Sequence, residues 1–217
     1  MATTETPEQI KAGYERVMGR ELGEAFHELM QDAARLHLKW NEYRLLLEPN
    51  AVEALNATAP GFFWLTQNAW WHDIVLHICR MTDRGSDKLA FEKMVTFLRT
   101  KPLRDDATDR LKAVLIAVQP LRELRDRYVA HRNFDDALGR SVKPVPAPEH
   151  ADAQTAIDAL DGFLHAIDHK FTEREATFYK HLDIRGGSAS LLWFLQRGLK
   201  ARDGDFAART PPMRFSD

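Results

Sequence analysis

The feature that most constrains this chain is the spacing of its apolar residues. From Arg20 to Glu48, Leu22, Phe26, Leu29, Ala33, Leu36, Trp40, Tyr43 and Leu47 recur at steps of three and four. That period places them on one stripe of a helix. No segment alternates strictly between apolar and polar residues, so helices are expected and strands are not.

The same period returns elsewhere, between clustered prolines. Thr6-Pro7 has the chemistry of a helix start, an N-cap followed by a residue with a preset φ, and predicts a short first helix. Pro49-Asn50 ends the long helix at Glu48. Pro60-Gly61 opens another, Phe62 to Thr82, apolar on most sides and so expected to be the central, most buried one. Leu89 to Arg99 reads as a short amphipathic helix, which Pro102 separates from the next. Asp105 to Asn133 is helical, with Pro120 expected to interrupt or kink it because proline lacks a donor and clashes with the preceding turn. Phe134 to Pro148 is expected to be loop. Glu149 to Lys180 is a further long helix, and Ser188 caps a last one ending at Lys200. The expectation is an all-α, up-and-down helical bundle with additional short helices and a C-terminal helix. Residues 1–200 are expected to form one helical domain and 201–217 a flexible tail.

Composition excludes several classes. The 217 residues carry 30 Lys+Arg against 32 Asp+Glu, a net charge of -2, so no global basic field draws the chain to nucleic acid or an anionic membrane. A contact with either needs a local patch. The single cysteine, Cys79, excludes an intramolecular disulfide framework and a cysteine zinc cage, and it falls within an apolar helix where a small core residue is expected. No signal-peptide core is evident, and the most apolar run, Gly61 to Met81, is broken by Gln67, Asn68, His72, Asp73, His77 and Arg80. A cytoplasmic protein without a membrane partner is expected. Glycine-loop nucleotide motifs, HExxH and GxSxG are absent.

Two groups of residues could carry chemistry. Asp161, His165 and His169 recur at four-residue steps, which leaves open a metal-ligating face or a solvated polar one. Nothing else in the chain is aimed at them, and neither a metal nor another cofactor is expected. The second group is Leu121 to Asn133, LRELRDRYVAHRN, where Arg122, Arg125, Arg127 and Arg132 surround His131. An imidazole titrates near neutral pH and moves protons, while a guanidinium holds a phosphate and stabilises charge on its oxygens. That pairing suits attack on an RNA phosphodiester, where the 2′-hydroxyl is the nucleophile. It also suits a surface helix whose Arg and Asp residues simply pair.

The run Arg125-Asp126-Arg127-Tyr128-Val129-Ala130-His131 resembles the Rx4-6H motif of the HEPN superfamily, in its R[N/D]x4H form. The segment FFWLTQNAWWHDIVLHICRMTDRGSDKLAFEKMVTFL is similar to the corresponding helix and turn of the AbiU2-like branch, including an Arg-x-x-Asp step at Arg80 and Asp83. The resemblance implies a helical bundle that dimerises and a metal-independent endoribonuclease acting as a toxin or in abortive infection against phage. It implies that Arg125 and His131 are catalytic. Asp126 takes the polar position after the arginine; Arg127, Tyr128, Arg132 and Asn133 support the site or touch RNA. Arg80 and Asp83 are expected as a second polar cluster. Asn133 stands where some relatives carry a tyrosine.

Arg125 and His131 are six residues apart, about 120° around a straight helix, whereas Arg127 and His131 share a face. Either the helix bends near His131, or two copies complete each other's site, or Arg127 holds the phosphate. The expected partners are RNA, a second copy of the chain and a cognate antitoxin protein. The competing expectation is a non-catalytic dimer, antitoxin or scaffold, whose Arg-rich helix binds an acidic surface.

Overall fold

The structure, a computed structural model, describes residues 6–85, 87–129, 148–172 and 184–209, the last five by backbone alone. The described residues are helical, without a strand, so the all-α expectation holds. The helices are α1 (Pro7–Met18), α2 (Arg20–Leu45), α3 (Pro49–Thr58), α4 (Pro60–Met81), α5 (Phe91–Phe97), α6 (Lys101–Leu124), α7 (His150–Phe171) and α8 (Ser188–Arg209). A π-helical turn, Arg125–Val129, continues α6.

Local chemistry sets the start of α1. The Thr6 hydroxyl accepts from the Gln9 amide while the Gln9 side chain accepts from the Thr6 amide, a reciprocal capping box. Between α1 and α2, Gly19 adopts φ 84°, a left-handed conformation that favours glycine. At Gly23 the α1 backbone passes so close that a Cβ would lie 2.5 Å from the Glu15 nitrogen.

Contacts divide the chain into two compact units, Met1–His37 with His72–Leu182, and Leu38–Trp71 with Asp183–Asp217. In the first, α6 packs along α7 and α5 packs on α6. Ala107, Leu111, Val114, Val118 and Leu121 form the buried stripe of α6. Ala153, Ala156, Ile157, Leu160, Phe163, Leu164 and Ile167 form that of α7. The Phe91 and Phe163 rings stack with centroids 4.6 Å apart.

In the second unit, α3 packs on α8. Leu46, Leu55 and Phe63 make its core, with Leu192 and Leu195 against them. The Trp40, Tyr43 and Trp71 rings stack in sequence. The first amide of α8, Ser188, donates to the Glu42 carboxylate. An acid at a helix N-terminus satisfies an orphan donor and complements the dipole.

Four expectations need correction. Helix α6 runs unbroken through Pro120 and begins at Lys101, with Pro102 inside its first turn. The amide missing at Pro120 would have bonded the Ile116 carbonyl, and Ile116 lies on the exposed side of the helix. The buried stripe continues past the proline through Leu121, and its burial outweighs the lost bond. The last helix extends to Arg209, beyond the expected end at Lys200. Helix α7 ends at Phe171, and the expected continuation to Lys180 lies outside the described residues apart from Thr172. Finally, α4 is not buried throughout. Ile74, Val75, His77, Ile78, Cys79 and Met81 are buried in its second half, but Phe62 and Trp64 in its first half are each 64% exposed, with Leu65 and Trp70 also exposed.

Candidate phosphate-binding site at the end of α6

The Arg-rich segment begins where α6 widens into the π-turn Arg125–Val129. Such turns interrupt an α-helix at a cost and are frequent at functional sites. The turn after α4 meets this end of α6, with Thr82 and Asp83 as its polar face. Arg122 donates from Nη2 to the Thr82 carbonyl at 3.0 Å and to its hydroxyl at 2.8 Å. It also reaches Asp83 Oδ1 from Nη1 at 3.3 Å. Arg125, three residues on and so on the same face, donates from Nη1 to the same Asp83 oxygen at 2.7 Å. Its Nε donates to Asp126 at 2.7 Å. Lys88 Nζ lies 3.9 Å from the other Asp83 oxygen.

Asp83 therefore joins Arg122 and Arg125, and the side chain of Arg125 is only 18% exposed. Burial opposes the charge of Arg125; the hydrogen bonds to Asp126 and Asp83 more than offset it, and the guanidinium is held above its ordinary range. Arg127 stands two residues beyond Arg125, and has no hydrogen bond or ion pair among the described residues. Tyr128 beside it is 51% exposed. His131, Arg132 and Asn133 lie outside the described residues.

Arg80 and Asp83 do not form a cluster together. Arg80 donates to Asp32 on α2 at 3.2 Å. Asp32 also accepts from Arg35 at 2.7 Å and faces His77 Nε2 at 3.7 Å. The His77 ring leads in holding the Asp32 carboxyl well below the ordinary carboxylate range; burial opposes it, and Arg35 and Arg80 add to it. His77 is buried, with no hydrogen bond to either ring nitrogen among the described residues.

The Asp161, His165 and His169 face is also rearranged. Asp161 is buried and bonded to His37 Nε2, at 2.9 Å and 3.0 Å to its two oxygens. His165 and His169 remain on the surface, their rings stacked with centroids 6.2 Å apart. Among the described residues no group of three or more His, Cys, Asp or Glu could hold a metal ion. Burial pushes the Cys79 thiol up to about 11, against the pull of Arg125 and Arg122, so it stays protonated and is a core residue, as expected.

Sequence reasoning missed Arg122 as a partner of Asp83, and His37 as a partner of Asp161. Arg122 carried a usable signal, its three-residue spacing from Arg125. His37 carried none.

The family model HEPN_AbiU2, described as AbiU2, matches residues 20–186. The chain belongs to this HEPN family. The matched span takes in α2 to α7, the turn at Asp83 and the whole Arg-rich segment; α1 and α8 fall outside it. No curated protein and no solved structure matches the chain. No described helix of this AbiU2-family protein is long and apolar enough to cross a membrane.

Proposed function

We propose that the chain is a metal-independent RNA endonuclease of the HEPN type, acting in a toxin–antitoxin or abortive-infection role. The observation that carries this reading is the Arg-rich segment of an AbiU2-family chain at a helix end widened into a π-turn. In the proposed reaction the RNA 2′-oxygen attacks the adjacent phosphorus as its proton is removed. The bond from phosphorus to the 5′-oxygen breaks, and a proton is delivered to that oxygen. The products are a 2′,3′-cyclic phosphate and a 5′-hydroxyl end. His131 moves the protons, and the arginines of the Arg125–His131 segment stabilise the charge that develops on the phosphate oxygens. The exposed Phe62, Trp64 and Leu65 suit a homodimer, since an isologous contact is the commonest way to cover such a surface. The cytoplasm and a cognate antitoxin complete the proposal.

The test is cleavage of RNA by purified protein in EDTA. Wild type should cut and leave cyclic phosphate ends. His131→Ala should lose about 10²–10⁴-fold in rate, the usual contribution of general acid–base catalysis, with an unchanged far-UV circular dichroism spectrum. Equal cutting by wild type and His131→Ala would remove the catalytic role. Absence of cutting together with retained dimerisation would favour the non-catalytic interaction protein.

A further inference from the structure

A second polar group of the first compact unit has no part in the proposed cleavage. Asp32 and Arg35 on α2 meet His77 and Arg80 on α4, two pairs each spaced three residues apart along their helix. We propose that Arg35 and Arg80 bind a phosphate group, with Asp32 as the counter-ion that the phosphate displaces and His77 as the donor that then takes Asp32. The site is separate from the Arg125–His131 segment, and the inference stands whether or not the chain cuts RNA.

Both arginines aim at one oxygen. Arg35 donates from Nη2 to Asp32 Oδ1 at 2.7 Å, and Arg80 donates from its own Nη2 to the same atom at 3.2 Å. The two guanidinium groups therefore converge on a single point, and one tetrahedral anion there can take donors from both. Each arginine uses Nη2 alone. Their Nε and Nη1 atoms make no hydrogen bond among the described residues, and the side chains are 55% and 62% exposed. A guanidinium presents its donors in a rigid fork that matches phosphate oxygens. Two positive charges face one negative charge, so the group stays net positive with Asp32 in place. Exposed ion pairs contribute little stability, so exchanging one anion for another costs little.

His77 is the independent observation. Its side chain is 2% exposed, and neither ring nitrogen has a hydrogen bond among the described residues. Nε2 stands 3.7 Å from Asp32 Oδ1, outside hydrogen-bond range. A buried polar group left unpaired costs stability, so its presence calls for a reason. Its position supplies one. When a phosphate takes the two guanidinium groups, Asp32 loses both donors at once, and its largely covered carboxylate needs a replacement. With the proton on Nε2, a small movement of Asp32 toward the ring makes that bond and draws the carboxylate away from the anion. His77 is thus a positioning residue that touches Asp32 and not the phosphate.

The experiment is calorimetric titration of the full chain with inorganic phosphate, against chloride at matched ionic strength. Wild type should bind phosphate in excess of chloride. Arg35→Gln and Arg80→Gln should each weaken binding about 10-fold, the contribution of a hydrogen bond to a charged group, with an unchanged far-UV circular dichroism spectrum. Asp32→Asn should tighten binding, because a neutral amide competes less for the guanidinium groups; an ion pair that is only structural predicts no gain. His77→Phe should weaken binding in the wild-type background and have no effect in the Asp32→Asn background. The arginine and Asp32 variants decide the outcome even if His77→Phe does not fold. Two competitors name the source of the phosphate. Displacement of inorganic phosphate by adenosine 5′-monophosphate supports a site for a terminal phosphate. Displacement by a single-stranded 2′-deoxy oligonucleotide with unphosphorylated ends supports a site for a strand backbone. The inference is overturned if wild type shows no phosphate binding, if the double variant Arg35→Gln/Arg80→Gln binds as wild type does, or if Asp32→Asn weakens binding.

Discussion

Two polar connections within the first compact unit join segments far apart in the chain, and they differ in their relation to water. His37 and Asp161 are both buried, and the imidazole lies between α2 and α7 with one nitrogen on both carboxylate oxygens. Asp83 and its arginines sit at the edge of the unit, partly wet, with one carboxylate shared by two guanidinium groups. Breaking a buried pair strands the surviving partner without solvation, whereas a wet pair exchanges its partner for water at small cost. The buried connection therefore serves stability. The wet one links the turn after α4 to the end of α6.

The largest effect is expected from breaking the buried member. Asp161→Ala should destabilise by about 3–5 kcal/mol, a fall in Tm of roughly 6–20 °C for a chain of this length. A change below about 2 °C in a thermal melt would show that this pair contributes little to stability.

Asp83→Ala should cost about 1 kcal/mol and lower Tm by only a few degrees. Salt sharpens the contrast. In 1 M KCl the Tm difference between wild type and Asp83→Ala should shrink, because screening acts on exposed charges, and that for Asp161→Ala should persist. A persistent Asp83→Ala difference in high salt would show that this cluster is functionally dry.

Asp32 provides the smallest and intermediate case, with Arg35, His77 and Arg80 around it. Its folded-state pKa lies below its unfolded one, so its contribution is present above the ordinary carboxylate range and lost as pH falls through that range and below. Asp32→Asn should therefore flatten the loss of Tm between about pH 5 and pH 3, and should leave a smaller pH dependence than wild type. An unchanged acid slope would place the stabilising charge elsewhere.

Particular residues show how far the sequence could be read. Thr6-Pro7 marked the start of α1 correctly, because a cap is made within four residues. The stripe from Leu22 to Tyr43 marked α2 for the same local reason. Pro120 misled, because its cost depends on whether the freed Ile116 carbonyl faces water or core, and spacing alone does not say which. Asp161 misled more deeply. Its four-residue spacing to His165 suggested a shared face, yet α2 packs where that carboxylate points and His37 captures it.

What the sequence determined by itself is the helical class and the start of α1 and of α2. Those properties rest on residues three or four apart, whose contacts are set by helix geometry. Tertiary structure alone decided that Asp83 meets Arg122 across a separation of 39 residues and that His37 meets Asp161 across 124. A charged side chain chooses among distant partners only after apolar stripes have packed and removed the water that would otherwise satisfy it.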